Sequence, residues 1–285
     1  MVGVLGVSAS AILVRFSQAP SGVTAAYRLG WTVLLLLPVV LLRCRAELRR
    51  VTARDLVLCG ASGVPLALHF LTWFESLKRT SVASSTVLVS TEVIFTALGF
   101  ALFLHGKIPR LGVWAILLAF GGSALLALSG GGGAGELSGN LLALAAASAA
   151  AVYTLIGRIQ RGHLSTTVYT FLTFLTYLAC FLTLLLGTAA AGTPLTGYGG
   201  REWLIGLALA VLCTLLGHSL FSWCLKYLSP SYVSAAKLCE PVFSSLAAIP
   251  LFGEVPGPLQ LAGGAAVLGA VLLYTWAERE KPPAG

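Results

Sequence analysis

Long apolar stretches follow one another almost without interruption along this chain of 285 residues. A membrane-spanning helix needs about 20 predominantly apolar residues. Ten stretches approach that length: 2–17, 23–43, 55–77, 82–104, 110–129, 138–158, 165–188, 202–226, 231–252 and 258–277. The connections between them are short, and glycine marks several of them as loops. The sequence therefore predicts an all-α integral membrane protein with ten transmembrane helices.

Composition and charge agree with this fold class. The chain is 57% hydrophobic and 10% charged, with a mean hydropathy of +0.91. The net charge of +8 is not gathered in one basic patch with interleaved aromatic residues, so we expect no nucleic-acid partner. If the N-terminus is cytoplasmic, twelve of the eighteen Lys and Arg residues lie in cytoplasmic segments and three lie outside. The positive-inside rule then predicts a multi-pass plasma-membrane protein with both termini in the cytoplasm.

The two halves of the chain contain similar sequences. A shift of 148 positions places LKRTSVASSTVLVSTEVIF (77–95) on LKYLSPSYVSAAKLCEPVF (225–243), and Glu92 then coincides with Glu240. Because five spans, an odd number, separate the copies, the second copy crosses the membrane in the opposite direction. We predict a five-plus-five inverted-topology repeat with five helices in residues 1–133 and five in 134–285. Such repeats place a substrate site near the membrane midplane, where the halves meet.

Glu92 and Glu240 lie near the middle of the fourth and ninth predicted spans. A charged residue at such a position costs at least about 2.5–3.5 kcal/mol on insertion scales, so it normally faces the bundle interior or a water-filled cavity. Two interpretations are open, since the carboxyl groups either line a cavity or form hydrogen bonds that hold helices together. Their matching positions in the repeat favour the cavity, where they would bind a proton or a substrate amine.

Lys237 and Pro241 flank Glu240. Lys237 precedes it by three residues and shares its helix face, so the two either form an internal ion pair or both contact substrate. Proline has no amide hydrogen, and Pro241 therefore leaves the carbonyl of Lys237 without its helical partner. We predict a structural kink at Pro241, next to the two charges.

Histidine and aromatic residues extend the candidate site to other spans. His69 shares a face of the third span with Trp73, and His218 follows Thr214 at helical spacing in the eighth. Imidazole titrates near neutrality and can relay protons, although an interhelical hydrogen bond is an equally open role. Tyr169 belongs to a Thr/Tyr stripe in the seventh span, either a hydrogen-bonded seam or a cavity wall.

The predicted substrate-binding set has seven members: His69, Trp73, Glu92, Tyr169, His218, Lys237 and Glu240. Trp73 would supply a stacking surface. Arg15 and Arg28, near the outer ends of the first two spans, either attract an anionic group or extend to the lipid headgroups. Glycines in the fifth and tenth spans are expected to allow close helix contact: Gly121, Gly122, Gly263, Gly264 and Gly269.

Motifs of the common enzyme classes do not occur in the sequence. It contains no GxSxG, HExxH or P-loop, and the six cysteines show no CxxC or CxxH spacing. We therefore expect no enzymatic activity, no cofactor and no metal site.

The segments that carry these polar residues also resemble a known family. LHFLTWFESLKRTSVASSTVLVST (68–91), GHSLFSWCLKYLSPSYVSAAKLCEPVF (217–243) and LFGEVPGPLQLAGGAAVLGAVLL (251–273) are similar to EamA-type transporters of the drug/metabolite transporter superfamily. The second half matches the family's EP and GE elements at Glu240–Pro241 and Gly253–Glu254. The first half departs from them, with Val93 in place of the proline and His105–Gly106 in place of GE.

The resemblance implies a ten-helix carrier with a central cavity, cytoplasmic termini and a small-molecule substrate that it often moves outward. We therefore expect an exporter of a small, amino-acid-like metabolite that works by alternating access in the lipid bilayer, as a monomer or homodimer. The alternative is a non-transporting membrane scaffold or sensor, in which the polar residues only fix helix packing.

Overall fold

The computed structural model describes residues 2–103, 108–129, 134–160, 166–218 and 239–279, and within these ranges the chain forms helices and loops without a strand. The first half contains α1 (Val2–Phe16), α2 (Ser21–Arg43), the short α3 (Arg45–Leu48), α4 (Ala53–Arg79), α5 (Val82–Val89), α6 (Glu92–Phe103) and α7 (Arg110–Ser129). The second half contains α8 (Ala134–Gln160), α9 (Thr166–Ala190), α10 (Gly200–Ala208), a π-helical segment (Leu209–His218), α11 (Cys239–Phe252) and α12 (Pro258–Arg279).

Seven stretches of the described residues are long and apolar enough to cross a membrane: Ser21–Arg43, Ala53–Arg79, Val82–Phe103, Gly135–Ile156, Thr170–Ala190, Gly200–Gly217 and Pro258–Ala277. Three shorter apolar helices, Leu5–Phe16, Arg110–Leu126 and Cys239–Phe252, coincide with the remaining predicted spans. The all-helical, multi-pass membrane fold is thus confirmed. The count of ten spans and the inverted repeat stay predictions.

The fourth predicted span differs from its expected form, because it is two helices and not one. Ser90 and Thr91 separate α5 from α6 by a tight turn, in which the Thr91 amide donates to the carbonyl of Leu88 over 3.1 Å. The hydroxyl of Thr91 donates to the same carbonyl over 2.6 Å. These bonds satisfy polar groups that the helix break would otherwise leave unpaired inside the bundle, where Leu88 and Thr91 are buried. As a result, Glu92 stands at the start of a helix.

Helix α4 runs through the middle of the bundle, with α8 and α9 beside it, while α1 contacts the π-helical segment and α11. A cluster of buried side chains from both halves fills the space between them, including Leu29, Phe74, Leu77 and Leu209, none of which is exposed to solvent. Large apolar side chains such as Leu42 and Phe103 point outward and are 77% and 78% exposed. Such outward-facing residues suit contact with lipid tails.

Glycines allow α7 and α12 to approach closely at one position. A Cβ atom built on Gly122 would lie 2.9 Å from the carbonyl oxygen of Gly263, closer than folded proteins allow, and the reverse contact is equally tight. Gly121 and Gly269 have open space instead, so their predicted packing role is wrong, while that of Gly122 and Gly263 is confirmed. The sequence alone could not distinguish Gly122 and Gly263 from the nearby glycines, because the face that contacts the other helix depends on how each helix is rotated about its axis.

Candidate functional site

Arg28 occupies a buried position between the two halves of the chain. It lies about two turns into α2, and only 1% of its surface is exposed. Its Nε donates to the hydroxyl of Thr214 over 2.9 Å, and its Nη1 donates to the hydroxyl of Ser10 over 3.1 Å. The guanidinium carbon lies 4.4 Å from the centroid of the Phe70 ring, a cation–π contact. Three helices and the π-helical segment therefore converge on one positive charge.

The π-helical segment positions Thr214 for this contact. The hydroxyl of Thr214 can also reach the carbonyl of Leu209, five residues earlier, over 3.3 Å. A π-helix has a wider turn than an α-helix, and π-helical turns occur frequently at functional sites. Cys213 lies beside Thr214 and is fully buried, and it interacts electrostatically with Arg28.

An aromatic face on α4 lies next to Arg28. His69 and Trp73, one turn apart, are stacked with ring centroids 5.8 Å apart, and the edge of His69 meets Phe70 at 5.1 Å. Nδ1 of His69 donates to the carbonyl of Ala146 in α8 over 3.0 Å, because a carbonyl oxygen can only accept. The Trp73 indole is 5% exposed, and its Nε1 has no acceptor among the described residues.

Glu92 is the first residue of α6, where a negative charge is favoured by the helix dipole. Its Oε1 accepts a hydrogen bond from the hydroxyl of Thr154 in α8 over 2.8 Å. The carboxylate also interacts electrostatically with His69. The break between α5 and α6 thus places a carboxylate in the middle of a predicted span, and discontinuous helices form the substrate sites of many transporters.

Glu240 lies in the first turn of α11, with Pro241 buried behind it. Its carboxylate interacts electrostatically with Arg28 and with Cys213. A hydrogen bond from the hydroxyl of Ser244 to the carbonyl of Ser8, 3.0 Å long, holds α11 against α1. The predicted kink at Pro241 falls at the limit of the described residues and stays a prediction.

The structure places the seven predicted residues as follows. His69, Trp73 and Glu92 come together, and Glu240 approaches the same region through Arg28. Tyr169 belongs to α9 and His218 ends the π-helical segment, but their side chains lie outside the described part of the structure. Lys237 lies outside the described residues altogether. The term central cluster is used below for six residues: Arg28, His69, Phe70, Trp73, Glu92 and Glu240.

The predicted substrate-binding set does not include Arg28, because the sequence places Arg28 near the outer end of the second span. A usable signal existed, since Thr24, Arg28 and Thr32 recur every four residues and form one polar face of α2. All three are buried. A polar stripe that includes a charge inside a predicted span indicates a face directed into the bundle.

A second polar region lies where α1 ends. Nη2 of Arg15 and Oε1 of Glu254 form an ion pair 2.7 Å long, and Arg15 Nη1 also donates to the carbonyls of Leu77 and Thr80. Oε2 of Glu254 accepts from the amide of Val82 over 2.7 Å, at the start of α5. These five residues are called the latch below. They join α1, α4 and α5 to the loop that follows α11.

Neighbouring contacts reinforce the latch. Gly253 has φ +69°, a left-handed conformation in which glycine is unstrained, and this ends α11 so that Glu254 turns back toward Arg15. The rings of Phe16 and Phe252 meet with centroids 5.0 Å apart. Glu202, at the start of α10, accepts a hydrogen bond from the hydroxyl of Ser17 over 2.6 Å. This end of the bundle is therefore closed by side chains from both halves.

Apolar helices of membrane-spanning length around buried charges define a multi-pass membrane protein. The chain belongs to the EamA-like transporter family, whose sequence pattern matches residues 1–128 and 137–276. The family membership predicted from residues 68–91 and 217–273 is thus confirmed. The family and the names of its relatives point to membrane exporters and not to enzymes, with a small-molecule substrate and a membrane environment.

Two named relatives cover most of the chain. Pseudopaline exporter CntI of Pseudomonas aeruginosa is 26% identical over 211 residues, which are 74% of this chain and 72% of the relative. The probable terminal-alkyne amino-acid exporter of Streptantibioticus cattleyicolor is 27% identical over 232 residues, 79% of this chain and 75% of the relative. A solved crystal structure covers 99% of this chain and 96% of its own length with a TM-score of 0.64 and 19% identity, and it shares the fold.

Proposed function

We propose that this protein exports a small, amino-acid-like metabolite across the plasma membrane by alternating access of its two halves. The halves would be residues 1–133 and 134–285, arranged as a five-plus-five inverted repeat with both termini in the cytoplasm. Membership of the transporter family supports the transport activity. The relative named as an amino-acid exporter supports the substrate class.

One observation carries the proposal. Four described hydrogen bonds connect side chains of the central cluster to other helices, and three of them join the two halves. The fourth, from Arg28 to Ser10, lies within the first half. Arg28 donates to Thr214, His69 to Ala146, and Glu92 accepts from Thr154. A carrier that rocks two halves about a central site needs polar groups of both halves around its substrate. A scaffold needs no such arrangement of charges, which are costly in a membrane.

The latch would then be the closed gate at one end of the transport path. Glu254 of the second half bonds to Arg15 and to the amide of Val82 in the first half, and Arg15 also donates to the carbonyls of Leu77 and Thr80. Opening this end requires the Arg15–Glu254 ion pair to separate. Because both side chains are partly exposed, at 28% and 18%, water can solvate the separated charges.

Within the central site, Glu92 and Glu240 would bind the substrate amine or a proton. Trp73 and Tyr169 would provide aromatic contact, and His69 and His218 would relay protons. Lys237 would pair with Glu240 or with the substrate. Pro241 would loosen the helix on which Glu240 stands.

The decisive experiment is export from proteoliposomes loaded with candidate substrates, measured for the unmodified protein and for Glu240→Gln. The substitution keeps the size of the side chain and removes its charge. We expect export to fall at least tenfold, with the melting temperature within a few degrees of that of the unmodified protein. Glu136→Gln is the matched control, because it makes the same chemical change at another glutamate in the first turn of a helix, α8.

The opposite pattern would support the scaffold or sensor. In that case no candidate substrate is exported by the unmodified protein, and Glu240→Gln lowers the melting temperature while Glu136→Gln does not. That result would mean that Glu240 only fixes helix packing, as the alternative interpretation requires.

A further inference from the structure

We propose that Arg28 is the anion-binding residue of the transport site and that it binds the free carboxylate of an amino acid with an apolar side chain. The inference rests on the proposed function, since it names the substrate class of the same site.

A guanidinium stays protonated in any protein environment, so Arg28 cannot escape burial by losing its proton. Its hydrogen-bond partners, Ser10 and Thr214, are neutral hydroxyls. Among the described residues the ion pairs are Arg15–Glu254 and Arg79–Glu75, and no carboxylate lies within 4 Å of the Arg28 side chain. Glu240 acts on Arg28 only through the longer-range electrostatic interaction.

Thr214 fixes Nε and Ser10 takes one hydrogen of Nη1, so the guanidinium plane is held in place from two sides. No described residue accepts from Nη2. The remaining hydrogens of Nη1 and Nη2 can therefore donate to a ligand, and paired guanidinium donors suit the two oxygens of a carboxylate. An arginine held in this way loses little further freedom when the anion binds.

Phe70 lies under the guanidinium, and Trp73 and His69 continue the aromatic face along α4. The buried Nε1 of Trp73 is a second donor without an acceptor in the described part of the chain. The carboxylate of Glu240, which interacts electrostatically with Arg28 at longer range, would attract the amine of the same ligand. Carboxylate, amine and an apolar side chain together describe an apolar α-amino acid.

The test compares an acid with its amide. Apparent affinities of L-propargylglycine, L-leucine and L-phenylalanine, and of the three corresponding α-carboxamides, are measured by thermal stabilisation of the purified protein, because a ligand that binds only the folded state raises its apparent stability. Export of the same six compounds is then measured in proteoliposomes. We expect at least one acid to bind and to be exported, and its amide to bind at least tenfold more weakly.

Substitutions at Arg28 then assign the preference to this residue. Arg28→Gln should bring the affinities of acid and amide to within twofold of each other. Arg28→Lys keeps the charge but loses the two-bond geometry, and it should retain a smaller preference. Arg110→Lys is the matched control at an exposed position and should leave the preference unchanged.

Two outcomes would overturn the inference, and they differ. If acid and amide are bound and exported equally by the unmodified protein, Arg28 does not bind the carboxylate, while the proposed export of amino-acid-like compounds stands. If none of the six compounds is bound or exported, the proposed substrate class fails and this inference fails with it. The first comparison uses only the unmodified protein, so it holds even if an Arg28 variant does not fold.

Discussion

Arg15 and Arg28 both belong to the first half and both bond to residues of the second half, but their surroundings differ. Arg15 has a carboxylate partner at 2.7 Å and is partly exposed. Arg28 is buried, donates to two hydroxyls and lies over an aromatic ring. The first has the geometry of a contact that fixes structure. The contacts of Arg28 fix its orientation and leave its charge without a close carboxylate partner, which suits the binding of an anion.

This difference predicts how the stability of the protein changes when each charge is removed. A buried charge that lacks a close ionic partner lowers stability, and a protein keeps it only if something else requires it. A paired charge, once removed, leaves its partner unsatisfied. The same chemical change should therefore alter stability in opposite directions at the two arginines.

The largest effect should follow from replacing each arginine with methionine, which has similar length and no charge. We expect Arg28→Met to reduce export at least 100-fold and to raise the melting temperature, since an apolar residue replaces a buried charge. Arg15→Met should lower the melting temperature and retain measurable export. Export rates and thermal unfolding of both variants check this. A marked loss of stability in Arg28→Met would show that Arg28 holds the helices together.

A substitution of Glu254, the carboxylate of the Arg15–Glu254 ion pair, should also weaken the latch. Glu254→Gln removes the ion pair and weakens the acceptor for the Val82 amide, and we expect it to cost about 1–2 kcal/mol of stability. The difference in melting temperature between the variant and the unmodified protein should also become smaller at 1 M salt, because salt screens part of the attraction in a partly exposed ion pair. Equal salt sensitivity of the two proteins would contradict the latch.

The aromatic support of Arg28 should have a smaller effect. Phe70→Leu removes the cation–π contact and keeps an apolar side chain, and we expect the affinity for L-propargylglycine to fall about fivefold to thirtyfold, corresponding to about 1–2 kcal/mol. Phe171→Leu in α9 is the matched control, because Phe171 is a buried phenylalanine that packs in a separate apolar cluster with Val40 and Phe174. Equal losses in both variants would indicate a general packing defect.

The smallest effects should come from the two hydroxyls that orient Arg28. Ser10→Ala and Thr214→Val each remove one hydrogen bond, and each should weaken binding of the amino acid about twofold to tenfold. The preference for acid over amide should persist in both. Loss of the preference in either variant would move the anion-binding role away from Arg28 itself.

Part of this account could be predicted from the sequence. Hydropathy located the helices, and the internal similarity drew attention to Glu92 and Glu240. The break at Ser90–Thr91 was not predictable, since neither glycine nor proline marks it. The latch joins residues 239 positions apart, and no periodicity within one helix can reveal such a contact. The burial of Arg28 depended on how α2 is rotated against the second half.

We propose that the two halves move about the central cluster and that the latch closes one end of the transport path. Spin labels at Gln18 and Val255, exposed positions beside the latch, would report the opening as a distance between them, in a variant whose native cysteines are replaced. We predict a short main distance and a longer minor one, whose population grows in Glu254→Gln. A single distance that is unchanged by that substitution would contradict alternating access at this end of the protein.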